Sequence, residues 1–402
     1  MNTDSMGASR VQASAGARRV LMVAGEASGD LHGTDLLHAL RERIPRLDVF
    51  GIGGAGLRAA GMRTLVDASD VATVGIVEGV SHLRALIGVY RALVRGLREA
   101  PPDLCILIDF PEFNLRLARA AKRAGVPVLY YIGPQVWAWR RGRVRTIARR
   151  VDRLAVVFPF EPALYTDRDC TVEFVGHPLL DRVSADRPRN ETRATHGLAP
   201  DRPLVLLLPG SRRAEIELIL PAMLAAVREL ARNPQRQFVL GLAPTVSRSD
   251  VEALVTRSGT PVPVVEGDTY NLMAAADLAL VASGTATLEC ALLECPMVVV
   301  YRVARLTYAV GRLLVRGVQH IAMPNIIAGR EIVPELLQDD ASGPVIASRA
   351  QELLEDPRRR ATIVADLRAV RSQLGRGGAA ARAADIATEM LEQGRARASR
   401  RA

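Results

Sequence analysis

The chain has 402 residues, a formal net charge of +10, 49% hydrophobic residues and 4% aromatic residues. This length suits two domains with separate cores, the hydrophobic content excludes a disordered protein, and so few aromatics supply no stacking platform for single-stranded nucleic acid. Cys105, Cys170, Cys290 and Cys295 are too few for a disulfide framework and lack the paired spacing of a zinc site, which predicts a reduced, cytoplasmic protein.

Residues 1–17 are polar, small and partly basic, and are expected to form a flexible tail. The apolar run Val20–Ala24 is too short for a secretory signal, and no stretch approaches the roughly 20 apolar residues of a membrane span. The positive charge calls for an anionic partner: nucleic acid, an anionic membrane surface or a phosphorylated substrate.

Short apolar runs alternate with amphipathic stretches, the pattern of an α/β chain with parallel sheets. The first half offers strands at Arg19–Ala24, Val49–Ile52, Leu104–Ile108, Val128–Tyr131, Leu154–Val157 and Thr171–Val175. A polar, proline-containing linker, Asp181 to Arg202, leads to a second series at Leu204–Leu208, Gln237–Gly241, Val262–Val265, Leu278–Ala282 and Met297–Tyr301. The predicted organisation is a tail over 1–17, Rossmann-like domains over 18–178 and 179–375, and a helix with a basic tail over 376–402.

Open parallel sheets bind ligands at the carboxyl ends of their strands, so the loops after the strands hold the candidate chemistry. Gly25-Glu26-Ala27-Ser28-Gly29-Asp30 follows the first strand and offers Glu26, Ser28 and Asp30, although Ser28 or Asp30 could equally cap the next helix. Gly51–Gly56 matches G-x-G-x-x-G but follows the second strand, which favours a plain glycine loop over a dinucleotide site. His82–Arg98 is amphipathic, with Leu83, Leu86, Ile87, Tyr90, Val94 and Leu97 on one face and Arg84, Arg91, Arg95 and Arg98 on another. It reads either as a core-packed helix with a solvated basic face or as a helix at an anionic lipid surface.

Asp109, at the mouth of the sheet beside apolar neighbours that raise its basicity, is a general-base candidate or a helix cap. Arg140–Arg153 holds seven arginines behind Trp137-Ala138-Trp139 and reads as loop plus exposed helix, with no nucleic-acid role. Asp167-Arg168-Asp169 has D-x-D spacing without further ligands and reads as a solvated turn. His177, in Gly176-His177-Pro178, reads as a hinge residue with a base as the alternative.

In the second half, Leu204–Glu215 and Leu278–Glu289 each run from a strand through small residues into a helix. Such junctions aim backbone N–H groups at one point and suit phosphate. Gly210, Ser211 and Arg212 at one junction and Ser283, Gly284 and Thr285 at the other predict a diphosphate held by fixed dipoles and a guanidinium, without metal or cofactor. Glu289, one turn into its helix, could accept from ribose hydroxyls or lie on a solvated face.

At these residues the chain resembles the lipid-A-disaccharide synthases, bacterial glycosyltransferases that join two acylated glucosamines. The matching segments run in family order: 23–30, Val74-Gly75-Ile76-Val77-Glu78, Ile108–Asn114, Pro134–Arg140, Phe174–Pro178, Leu208–Arg212, Ala282–Glu289 and Pro324–Arg330. Glu112 stands where the family usually has Asp, and Gly133 where Ser is common.

The resemblance implies a GT-B fold, two Rossmann-like domains facing across a cleft, the first binding acceptor and the second UDP-sugar. It implies inverting, metal-independent transfer from UDP-2,3-diacylglucosamine to 2,3-diacylglucosamine 1-phosphate, called lipid X. Asp109 matches the proposed base. Arg212, Glu289 and Asn325 match positions tied to UDP binding or activity. Glu26, Ser28, Asp30, Asn114 and Trp139 fall in the matching segments of the first domain, as acceptor or cleft residues. A place at the cytoplasmic face of the inner membrane, reached through helix 82–98, follows from acylated substrates, while oligomeric state is left open. The alternatives are a UDP-N-acetylglucosamine 2-epimerase-like enzyme of the same fold and a basic, non-catalytic nucleic-acid-binding protein.

Overall fold

Runs rich in Val, Ile and Leu become strands buried on both faces, and the stretches between them become helices that cover those faces. The computed structural model describes residues 17–68, 81–137, 142–304 and 319–399. Its two units are the chain up to Pro178 together with the segment from Gly378, and Leu179–Gly377.

The first unit runs β1 (Arg18–Ala24), α1 (Ala27–Arg43), β2 (Leu47–Gly53), α2 (Ala55–Ala59), β3 (Arg63–Asp67), α3 (Ser81–Glu99), β4 (Leu104–Ile108), α4 (Pro111–Arg123), β5 (Val128–Tyr131), α5 (Arg143–Arg150), β6 (Arg153–Val156) and β7 (Thr171–Phe174). Its sheet has the order β3-β2-β1-β4-β5-β6-β7 with every pair parallel. The order reverses between β1 and β4, and the crevice at such a switch point is where α/β sheets take ligands.

Helix α3 turns most of its described apolar side chains inward. Leu93 and Leu97 are buried, and Leu86, Val89, Tyr90 and Val94 pack against the core of this unit. Among the described residues of that apolar face only Ile87 is exposed, beside exposed Arg91, Arg95 and Arg98. The side chains of Leu83 and Arg84 lie outside the described residues.

The second unit runs α6 (Arg189–Thr195), β8 (Leu204–Leu208), α7 (Arg213–Leu230), β9 (Gln237–Leu242), α8 (Arg248–Ser258), β10 (Val264–Glu266), α9 (Thr269–Ala275), β11 (Leu278–Ala282), α10 (Thr285–Leu292), β12 (Met297–Tyr301), α11 (Met323–Ala328), β13 (Glu335–Leu337), α12 (Gly343–Glu355) and α13 (Pro357–Gln373). Its parallel sheet has the order β10-β9-β8-β11-β12-β13. The switch point here lies between β8 and β11.

The last helix, α14 (Ala379–Ser399), belongs to the first unit. Ala379, Ala383, Ala384 and Ala387 are fully buried, so small side chains let this helix approach α1 closely. Arg43 pairs with Asp385 at 2.6 Å, Arg153 with Glu389 at 2.6 Å, and the Arg382 guanidinium donates to the Val175 carbonyl at 2.7 Å.

Candidate active site

In the first unit the loops after β1 and β4 meet at the switch point. Strand β4 ends in two consecutive left-handed residues, Asp109 (φ 47°) and Phe110 (φ 49°), before Pro111 starts α4. The Asp109 carbonyl accepts from Asn114 Nδ2 at 2.7 Å and from Tyr130 Oη at 2.6 Å, and Asn114 Nδ2 also reaches the Ile108 carbonyl at 3.1 Å. Gly25 is required here: a Cβ at that position would lie 2.5 Å from the Phe110 ring. The close approach brings Glu26, the next residue, to where its charge acts on Asp109. Burial first, and then Glu26, push the Asp109 carboxyl up to about 6, against the Phe110 N–H bond that opposes the shift.

The remaining residues expected around the acceptor separate by role. Glu26 and Ser28 are exposed at the start of α1. Asp30 is engaged internally: its carboxylate accepts from the N–H groups of Gly54 and Gly56, in the literal G-x-G-x-x-G loop, and of Leu57 just beyond it. That is a capping role at the start of α2. Asn114 is 0% exposed and braces the Asp109 turn. Trp139 and the segment 74–78 lie outside the described residues.

Two groups that sequence reasoning passed over or left open stand farther along this sheet end. Glu161 is buried, accepts from Val157 N at 3.2 Å and Phe158 N at 2.9 Å, and is pushed by burial to about 7. The His177 ring lies tilted against Phe158 with centroids 5.2 Å apart, and burial followed by the nearby His32 lowers it to about 3, so the ring is neutral at physiological pH. Nothing in the local residue pattern singles out Glu161; its burial is a product of the fold.

In the second unit the loops after β8 and β11 likewise flank the switch point. Arg212 is exposed and its guanidinium lies 3.6 Å from Glu215, whose other oxygen accepts from Ser211 N at 3.3 Å. Glu215 thus occupies one of the donors expected at an anion site. After β11, Ser283 N is bonded to the Val300 carbonyl at 3.0 Å and Ser283 Oγ to Ile321 at 3.2 Å, so Ser283 ties the loop down and is not a free donor. Exposed Gly284 and Thr285 open α10, with no acceptor for their N–H groups among the described residues.

Glu289 accepts from Tyr270 Oη at 3.0 Å; burial raises its carboxyl above the ordinary glutamate value, and the tyrosine bond opposes this. Asn325 is enclosed by the fold. It is 0% exposed, and its amide donates to Val333 O (2.9 Å) and Glu335 Oε1 (2.7 Å) while its oxygen accepts from Ile332 N (2.8 Å) and Val333 N (3.0 Å). With both its donors and its acceptor engaged, Asn325 latches the segment before β13.

Each unit therefore presents chemistry at its own switch point: a carboxylate held close to neutrality in the first, exposed backbone donors with an arginine and a half-buried carboxylate in the second. A family profile described as lipid-A-disaccharide synthetase matches residues 20–390. The lipid-A-disaccharide synthase of Geobacter sulfurreducens is 49% identical over 374 residues, covering 93% of this chain and 97% of the relative. Among solved structures, UDP-GlcNAc 2-epimerase from Neisseria meningitidis bound to UDP-GlcNAc aligns with a TM-score of 0.57 at 15% identity, covering 93% of this chain and 100% of that one. MurG of Acinetobacter baumannii aligns with a TM-score of 0.56 at 13% identity, covering 93% and 99%. Likeness at that identity speaks for the fold alone, and the GT-B class follows from it. The chain belongs to the lipid-A-disaccharide synthase family and is a glycosyltransferase of lipid A biosynthesis.

Proposed function

We propose that this chain transfers the diacylglucosaminyl group of UDP-2,3-diacylglucosamine to the primary hydroxyl of 2,3-diacylglucosamine 1-phosphate, with inversion. Family membership supports the substrate pair, and the observation that carries the mechanism is Asp109, a carboxyl held near neutrality at a switch point. The hydroxyl proton passes to the Asp109 carboxylate as the oxygen attacks the anomeric carbon. The bond from that carbon to the diphosphate breaks, and UDP leaves with the electron pair. Arg212 and the N–H groups of Gly284 and Thr285 stabilise the departing charge, and Glu289 takes the ribose hydroxyls.

The bound UDP-sugar of the Neisseria epimerase supports a nucleotide role for this fold. An epimerase reading predicts turnover of free UDP-N-acetylglucosamine without an acceptor. Incubation with UDP-2,3-diacylglucosamine and lipid X should release UDP and a disaccharide 1-phosphate, and Asp109→Asn should abolish this while leaving UDP affinity nearly intact. Substantial turnover by that variant would remove Asp109 from the base role.

Acylated substrates favour work at the cytoplasmic face of the inner membrane. Among the described residues no helix is long and apolar enough to cross a membrane. Exposed Arg91, Arg95 and Arg98 on α3, with its apolar face packed inward, support electrostatic contact with anionic headgroups. Reversing these three charges should weaken sedimentation with anionic vesicles; unchanged sedimentation would leave α3 as a core helix only.

A further inference from the structure

We propose that Tyr130, together with Asn114, is a positioning residue for the base: the two fix the Asp109 carbonyl and so hold the strained turn that aims its carboxylate. This rests on the reading of Asp109 as the base.

Two adjacent non-glycine residues at φ 47° and 49° are not a conformation the chain adopts unaided, because Cβ crowds the carbonyl in the left-handed region. Such a pair persists only where surrounding groups over-determine it, and strained pairs of this kind cluster at functional sites. Here the over-determination falls on one atom. The Asp109 carbonyl receives the Tyr130 hydroxyl at 2.6 Å from β5 and the Asn114 amide at 2.7 Å from α4, donors that reach it from different elements. The Asn114 amide also takes the Ile108 carbonyl at 3.1 Å, so it straddles the last strand residue and the first left-handed one.

Both donors are 0% exposed, which rules out substrate contact as the reason for their polar atoms. Tyr130 lies inside an apolar core where phenylalanine would fill the same space. Its hydroxyl, taken out of water, is retained where it meets the carbonyl of the turn. Beyond the turn, Phe110 packs over Gly25 and stacks on Phe113 at 5.4 Å, which fixes the far side of the same peptide. These contacts immobilise the main chain of Asp109 and the residue after it, and the carboxylate beside Glu26 remains for chemistry. A base must sit within hydrogen-bond reach of the hydroxyl it activates, so a turn that relaxes by a fraction of an ångström loses rate before it loses binding.

The test uses full-length Tyr130→Phe, Asn114→Ala and the double variant, with Asp109→Asn as reference. Tyr130→Phe is expected to lower kcat by about ten- to a hundredfold while KM for the UDP-sugar stays within about twofold. The acid limb of its pH profile should shift downward as the carboxyl leaves its buried setting. If both donors act through one carbonyl, the double variant should lose less than the product of the single losses. Wild-type kcat and an unmoved limb in Tyr130→Phe, with Asp109→Asn inactive, would overturn the positioning role and spare the base. A parallel fall in kcat and thermal stability with the limb unmoved would also overturn it, as a purely structural effect. Turnover by Asp109→Asn would instead sink the underlying reading.

Discussion

Asp30 Oδ1 lies 2.6 Å from the Gly54 nitrogen, so the dinucleotide-like glycine loop already holds an anion, and that anion belongs to the chain itself. The same carboxylate accepts from Gly56 N at 2.9 Å and Leu57 N at 3.2 Å, at the start of α2. A Cβ on Gly54 or Gly56 would come within 2.8 Å or 2.9 Å of it, so both glycines serve the internal carboxylate. Asp30→Ala leaves three N–H groups without an acceptor and is expected to destabilise the first unit by about 2–4 kcal/mol. Denaturant unfolding reads this; unchanged stability would show that water satisfies the loop equally well.

Glu26 should tune the base. The Asp109 carboxyl is pushed to about 6 mainly by burial and secondarily by Glu26. A base acts deprotonated, so kcat/KM should rise with pH through that region. Glu26→Gln removes the smaller cause and should move the acid limb to lower pH, with burial keeping it above the ordinary aspartate value. A limb that stays in place would separate Glu26 from the base.

The same burial makes the Asp109 carboxylate a cost to stability. Its folded pKa of about 6 exceeds the ordinary 3.8, so its contribution is fully present below the lower value and is lost as pH rises through the higher one. Asp109→Asn, which does not ionise, should therefore be more stable than the parent at about pH 8, by at most about 3 kcal/mol, and similar to it at about pH 3.5. Equal stability at both pH values would mean that water solvates the carboxylate in the folded state.

The sequence pattern made the central strands legible because burial on both faces demands unbroken apolar runs, as in Leu204–Leu208. Strands β3 and β13 went unread for the converse reason. Both lie at sheet edges; Arg63–Asp67 has no fully buried residue and Glu335–Leu337 is only three residues long. Asp109 was readable as a polar residue ending a strand, whereas Tyr130 within Val128–Tyr131 looks like core until its hydroxyl is seen at a carbonyl 21 residues away in sequence. Asn325 shows a different limit of the sequence. Its engagement with Ile332, Val333 and Glu335 depends on how the segment before β13 folds back, which spacing does not encode.

Tyr270 should matter to nucleotide binding through Glu289. Its hydroxyl donates to Glu289 Oε1 at 3.0 Å and holds the carboxylate at the start of α10. Removing that one bond with Tyr270→Phe should weaken UDP binding about fivefold, the equivalent of about 1 kcal/mol. Calorimetric titration with UDP checks this, and an unchanged Kd would mean that Glu289 is held by packing alone or does not meet the ribose.

Arg193 should be a sensitive structural position of the second unit. Its guanidinium is 1% exposed and donates to the carbonyls of Ala275 (2.9 Å), Pro200 (2.6 Å) and Arg202 (3.0 Å) and to Asp277 Oδ2 (2.8 Å). Asp277 in turn accepts from Leu204 N at 2.8 Å, so this one side chain ties α6 to the start of β8 and the end of α9. Lysine keeps the charge but lacks the planar fork, and several buried carbonyls would lose their donor at once. Arg193→Lys is therefore expected to lose about 3–5 kcal/mol in urea unfolding. The exposed Arg232, paired with Glu229 at 2.8 Å, supplies the contrast: Arg232→Lys should change stability by less than about 0.5 kcal/mol. If the two variants unfolded at the same urea concentration, the buried network would not be what anchors α6.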